Sequence, residues 1–282
     1  MSLGAGGAQS GIRLRPRQSI YPNKDIMAAF RIVVTILLLL PPALNVWADD
    51  APPPPMGVWI GKGQFGFLNS HGNSDSESVN GNIDMLRYDG AWKNEFYLGG
   101  LYGKSAAVLS AERWETRLQS NYTISGDLFA FGGFRYEHDL FDGFDYQASA
   151  TGGMGYKFLD TEATKLSVQV GAGYRRLRPE DIFKNADGIV TARVLHDATG
   201  EAIATTGVDF SHAFNKSTLL TNKFLTEAGS SNTLLHDEVA LTVKMSQKLA
   251  LSVGYAITDN THPPATLKKL DTVATVNLVF AF

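Results

Sequence analysis

Charged residues in this chain recur two positions apart, a spacing that puts side chains on one side of an extended backbone. Lys93 and Glu95 follow it, as do the run Arg113, Glu115, Arg117 and the pair Arg135, Glu137; Arg175, Glu238 and Lys244 belong to segments of the same kind. Charges of both signs on one face of a strand are the chemistry of a polar lining. Such a lining either selects small anions or zwitterions in a constriction or neutralises itself as a salt-bridged plug, because charges taken from water must be paired or hydrated. The spacing is compatible with both.

Other chemistry is weaker. The six histidines, His71, His138, His196, His212, His236 and His262, fall in no catalytic motif. Ser211 and His212 are adjacent, and neighbours along a strand point to opposite faces, so they make no direct dyad. An outer-membrane lipid hydrolase is therefore the weakest function class, and the chain reads as a non-enzyme. His138, Asp139, Asp142 and Asp145 carry imidazole and oxygen donors of the kind a divalent cation takes. Asp and Gly in so short a segment more often serve turn geometry, so neither a metal nor a cofactor is expected. The chain has no Cys, which removes disulfides and thiolate sites, and no basic cluster in its body, which removes the phosphate neutralisation that nucleic-acid binding needs.

The elements that position these residues are strands. From residue 57 to 282 no apolar stripe has helical period, whereas period-two alternation recurs almost throughout. Val239, Leu241, Val243 and Met245 alternate with Glu238, Ala240, Thr242 and Lys244. Leu249 to Thr258 and Leu166 to Arg175 repeat the pattern, each giving one apolar and one polar or small face. Breaking at turn signals gives twelve segments: 57 to 69, 76 to 88, 91 to 103, 111 to 124, 127 to 138, 145 to 158, 165 to 176, 201 to 214, 217 to 227, 233 to 246, 248 to 258 and 270 to 282. That number and pattern predict an all-β, antiparallel transmembrane β-barrel with its apolar face toward lipid.

Connections alternate in length. Tight ones fall at Asp89 to Gly90, Ser125 to Gly126, Asn215 to Lys216 and Ser246 to Lys248, with longer ones at Ser70 to Asp75, Asp139 to Phe144, Leu177 to Gly200 and Asp259 to Lys269. A barrel with its N-terminus in the periplasm has short periplasmic turns and longer outside loops; Leu159 to Thr164 is longer than that rule needs. Trp92 with Tyr102, Trp114 with Tyr122 and Tyr146 with Tyr156 share a face within each pair. At ~3.4 Å per residue and a tilt of ~40°, they are separated by roughly 20 to 26 Å across the membrane, near the ~25 Å between aromatic girdles. The chain ends with Leu278, Phe280 and Phe282 at alternate positions. This ending is similar to the C-terminal signal read by the outer-membrane insertion machinery.

Ahead of the barrel, Met27 to Ala48 has Arg31, an apolar run from Ile32 to Leu40, and small residues Val46 and Ala48 flanking Trp47. That is the layout of a signal peptide cleaved after Ala48. Residues 1–26 read as a mis-started or non-native extension, and 49–56 as a Pro-rich periplasmic spacer. Removing residues 1–48 strips five bases and one acid, which takes the net charge from -3 to -7.

Four stretches carry a family resemblance: FGFLNSHGNSDSES (65 to 78), FRYEHDLFDGFDYQASATGGMGYKFLDTE (134 to 162), LSVQVGAGYRR (166 to 176) and the tail from Leu241 to Phe282. They look like the salt-induced outer membrane protein family, a Gram-negative domain of unknown function. The resemblance runs from Val58 to Phe282 and departs from the family pattern at Ile182 to Glu201. It implies an outer-membrane β-barrel with no established substrate, catalytic residue or cofactor. The expected function is a narrow passive or weakly selective channel for small solutes. The alternative is a non-conducting envelope protein that binds lipopolysaccharide or a protein partner through its outside loops. Expected partners are outer-membrane lipid and lipopolysaccharide, the insertion machinery during biogenesis and no nucleic acid, with a monomeric barrel.

Overall fold

A computed structural model of the protein describes residues 56–70, 76–106, 108–140, 143–185, 189–263 and 268–282. The expected signal peptide, its cleavage site and the Pro-rich segment to Pro55 lie outside the described residues, as do His71, Asp75, Asp142 and Pro264.

The described chain is all strand: β1 (Trp59–Ser70), β2 (Ser76–Asp89), β3 (Trp92–Ser105), β4 (Val108–Ser125), β5 (Leu128–Asp139), β6 (Phe144–Asp160), β7 (Thr164–Lys184), β8 (Val190–Leu195), β9 (Thr199–Ala213), β10 (Thr218–Gly229), β11 (Thr233–Lys244), β12 (Leu249–Asn260) and β13 (Leu270–Ala281). Every strand pairs antiparallel with its neighbours, and β1 pairs with β13. Gly61 N–H donates to the Phe282 carbonyl and Phe282 N–H to that of Gly61, both at 3.0 Å, closing the ring next to the terminal residue. The result is a closed antiparallel barrel of twelve strands, with β8 outside the ring. The β1 to β13 ladder runs over four pairs, from Lys62 opposite Ala281 to Phe65 opposite Leu278, so the ring closes through the near part of this seam, and pairing around the ring serves the need of strands that span hydrocarbon for internal hydrogen bonds.

The β8 strand corrects the expected loop at 177 to 200. Pro179 marks a strand end in the sequence because it has no N–H. In the fold it stands where pairing with β6 runs out, opposite Phe144, while its carbonyl accepts from His196 N–H at 2.9 Å. Beyond it, β7 continues to pair with β8, and Arg193 binds Glu180 at 2.5 Å and the Leu140 carbonyl at 3.0 Å. The 159 to 164 connection is also shorter than expected. β6 runs to Asp160, and a three-residue turn is fixed by Thr161 Oγ1, which donates to the Thr164 carbonyl and accepts its N–H, both at 2.9 Å.

All the other connections at the end where β1 begins and β13 ends, here the near mouth, are likewise short. The far mouth is mixed: β10 to β11 takes only Ser230 to Asn232, whereas the β7 to β9 connection carries β8. Outward residues are large and apolar, including Phe65, Leu98, Leu118, Val170, Leu241, Val253 and Leu278, all exposed. One lipid-facing exception stands near mid-height: Asn222 Nδ2 donates to Asp237 Oδ1 at 2.6 Å and to the Glu238 carbonyl at 3.2 Å.

Candidate functional site

The interior is where polar chemistry collects, because alternation along each strand sends every second side chain there. The charged residues fall into two groups, one packed shut and one facing open space.

The packed group spans β4, β5, β6, β7, β9 and β10. Arg135 Nε donates to Glu115 Oε1 at 2.7 Å, and its other nitrogens bind Glu137 and lie 3.9 Å from Glu227. Arg113 reaches Glu137 at 2.6 Å and Glu115 at 3.5 Å. Arg175, with no exposed surface, donates to Glu201 at 2.6 Å and to the Asn232 carbonyl at 2.6 Å, and Glu227 accepts from Ser149 Oγ at 2.6 Å. Glu227 on β10 thus meets partners from β5, β6 and β7, contacts that cross the lumen. Interleaved acids and bases give almost every buried ion a counterion, which makes a dense layer tolerable away from water. At the same wall Phe129 and Phe131 lie over the glycines of β6 and β7; a Cβ on Gly153 would meet the Val170 carbonyl at 2.2 Å, so nothing larger fits there.

The open group lines three adjoining cavities, with Arg113 and Glu115 shared between it and the packed group. The largest, about 590 Å³, opens toward the near mouth and is bordered by Lys93, Glu95, Gln119, Gln169, Asp209 and Lys223. A second of about 250 Å³ is bordered by Lys62, Asp84, Glu238, Lys244 and Lys248. A third, narrower one of about 120 Å³ runs between the inward face of β4, with Arg113, Glu115 and Arg117, and an opposite wall of Asn80, Asn82, His236, Thr275 and Asn277. Tyr97 and Arg117 border all three. The Arg117 guanidinium lies 4.0 Å over the Tyr97 ring and 3.6 Å from Glu115, so its planar charge is held at the junction. His236, bonded to Thr258 Oγ1 at 3.0 Å, faces it from β11.

The two larger cavities are basic. Lys62 pairs with Asp84 at 3.5 Å, Lys93 with Glu95 at 2.5 Å, and Lys157 and Lys165 share Asp160 at 3.2 and 3.8 Å. Arg117, Lys223, Lys244 and Lys248 then remain against Asp209 and Glu238. Eight bases against five acids leave the near vestibule with a charge of +3.

Of the ten charged residues singled out in the sequence, Lys93, Glu95, Arg113, Glu115, Arg117, Glu238 and Lys244 border a cavity. Arg135, Glu137 and Arg175 border none of the three and stand inside the packed layer, the salt-bridged arrangement that the spacing also allowed. The alternation gave their face correctly but not what lies opposite. Tyr97, Glu201, Asp209, Lys223, Glu227 and His236 were missed. For all but Glu227 the signal was parity alone, a charged or polar residue two positions away on the same face; Glu227 is flanked at that spacing by Leu225 and Gly229 and had no such signal.

The six girdle candidates all stand on the outer wall. Trp92, Tyr122 and Tyr156 lie toward the near mouth, Trp92 and Tyr122 with ring centroids 4.9 Å apart. Tyr102, Trp114 and Tyr146 lie toward the far mouth, the last two joined through Tyr136, which stacks on each at 5.0 and 5.9 Å. Leu278, Phe280 and Phe282 are exposed on the outside of β13. His138 Nδ1 faces the Asp145 carbonyl, and the Asp145 carboxylate is 3.6 Å from Arg178. Among the described residues no group of three or more His, Asp or Glu is arranged to hold a metal ion. Ser211 borders the vestibule, while His212 is on the outer wall against Phe214 and Thr164.

With this geometry in hand, the sequence was compared with known proteins, and one family model matches residues 63–282. The chain belongs to the family described as protein of unknown function, DUF481. This agrees with the resemblance to a Gram-negative family without assigned function. A relative from Escherichia coli K12, the uncharacterized protein YdiY, is 22% identical over 231 residues, covering 79% of this chain and 85% of that protein. The barrel is similar to the translocator domain of autotransporter NalP from Neisseria meningitidis, at 12% identity, 92% and 96% coverage and a TM-score of 0.44. It is also similar to an outer membrane channel from Pseudomonas putida F1, at 12% identity, 84% and 100% coverage and a TM-score of 0.45.

Proposed function

We propose that this member of the DUF481 family is an outer-membrane, non-enzymatic barrel, exported by the signal at 27 to 48, whose lumen is a narrow, weakly selective channel for small solutes. The observation that carries the reading is the off-axis passage along β4. Arg117, Glu115 and Arg113 form a ladder facing Asn80, Asn82, His236, Glu238, Thr275 and Asn277, with the two larger cavities on the near side. Charged side chains that line a narrow bore set which ions it favours. The ion-pair layer on the β5 to β10 side narrows the bore rather than lining it. In this orientation the near mouth is periplasmic and the far mouth, with the β7 to β8 hairpin, faces outside.

Purified protein in planar bilayers tests it. Discrete, small conductance steps are the expected result, and a barrel that inserts, as judged by heat-modifiable mobility, yet stays silent at all voltages overturns the channel. The packed layer favours one second reading, a closed barrel whose outside loops bind lipopolysaccharide; a silent barrel retained on immobilised lipopolysaccharide would support it. An unchanged lipid A and phospholipid profile on expression is expected under both and would be altered by a lipid hydrolase.

A further inference from the structure

Four bases of the near vestibule lie outside the lysine–carboxylate pairs around them: Arg117, which is 3.6 Å from Glu115, Lys223, which stands between Asp209 and Glu238 in the strand register, and Lys244 and Lys248. Lys244 and Lys248 sit at the rim. Lys223 is five residues into β10 from Thr218, on the order of 17 Å along the strand. It borders the same two cavities as Arg117, on the opposite wall. One feature makes this more than a basic surface. The guanidinium of Arg117 is oriented by its stack on Tyr97, leaving it presented to the cavity.

We propose that the vestibule is a binding site for small multivalent anions, carboxylates or phosphates, held between Arg117 and Lys223 and drawn in by the lysines of the rim. A monovalent ion would satisfy one of these cations; a solute with two or three negative groups spans the pair, and a cavity of about 590 Å³ is in the range that takes a small metabolite. The arrangement is directional. A +3 vestibule in a chain whose exported part carries -7 concentrates anions at the near mouth, since low-dielectric walls focus the field of a charged cleft. The site needs no conduction, although in a conducting barrel it would make the near mouth the loading side.

The test is titration of the folded full barrel in neutral detergent with citrate and with inorganic phosphate, followed by calorimetry at low salt. Saturable binding is expected, tighter for citrate, weakened at least ten-fold in Lys223→Gln and in Arg117→Gln, and unchanged in Lys104→Gln, which lies at the far end of β3. Heat-modifiable mobility checks that each variant is folded, and Lys244→Gln, at the rim, gives a second variant with a smaller expected loss of about two- to three-fold. No saturable binding of either anion, or equal affinity in wild type and the double variant Arg117→Gln/Lys223→Gln, overturns the proposal. A silent barrel that binds refutes the channel alone, and a conducting barrel that does not bind refutes this site alone.

Discussion

Arg117 and Arg135 are direct neighbours across β4 and β5, yet the structure assigns them different physical work. Replacing Arg135 with Met removes the shared counterion of Glu115, Glu137 and Glu227 from a site with almost no solvent. Breaking one partner out of a buried ionic cluster costs about 3 to 5 kcal/mol, and the lower end applies because Glu115 keeps Arg113 and Arg117, Glu137 keeps Arg113 and Glu227 keeps Arg175. Replacing Arg117 with Gln removes a stack on Tyr97 and one ion pair at 3.6 Å on a quarter-exposed side chain. Those are together about 1 to 2 kcal/mol. Ion selectivity should move the other way. A unit charge about 5 Å from a permeating ion in water contributes about 0.8 kcal/mol, or roughly four-fold in the local concentration of each ion sign, less at high salt. Urea unfolding in lipid vesicles, followed by tryptophan fluorescence, reads the first quantity. The reversal potential under a KCl gradient reads the second. Arg135→Met should lose the most stability and shift the potential little, and Arg117→Gln should do the reverse. Equal losses of stability, or a larger potential shift for Arg135→Met, would refute the division of the lumen into a packed layer and an open passage.

Glu227→Ala should destabilise the barrel by about 3 kcal/mol, with Glu227→Gln milder because it keeps an acceptor for Ser149; the same vesicle unfolding measures both. Gly153→Ala forces a methyl against the Val170 carbonyl and should cost about 1 to 3 kcal/mol or prevent refolding, seen as loss of heat-modifiable mobility. Replacing both Asn222 and Asp237 with Leu should raise stability in vesicles by about 1 to 2 kcal/mol, since a carboxyl on the lipid face is unfavourable; a loss would show that the polar pair is needed. Exchanging residues 180 to 197 for a short Gly-Ser linker should leave the folded barrel intact by far-ultraviolet circular dichroism, because the ring closes through β7 and β9 without β8.

Much of this molecule was legible from residue order. Period-two alternation located all twelve barrel strands, and the even spacing of Trp92 and Tyr102 put both on the outer wall. Only β8 escaped, hidden behind Pro179, whose missing donor ends a strand unless, as here, the ladder on that side ends as well. In β10, Asn222 interrupts the apolar face at a lipid-facing position, so the pattern there weakens, and Lys223 and Glu227 went unrecognised as inward charges.

The sequence by itself determined which face of each strand is greasy and which is polar, because side-chain direction along a strand is a local property of the backbone. It could not determine which polar residues meet. Arg135 and Arg117 have the same local pattern, but one finds Glu227 from β10 and the other finds an open cavity. That difference depends on how far strands three to six places apart slide and approach across a closed ring, and only the tertiary structure fixes it.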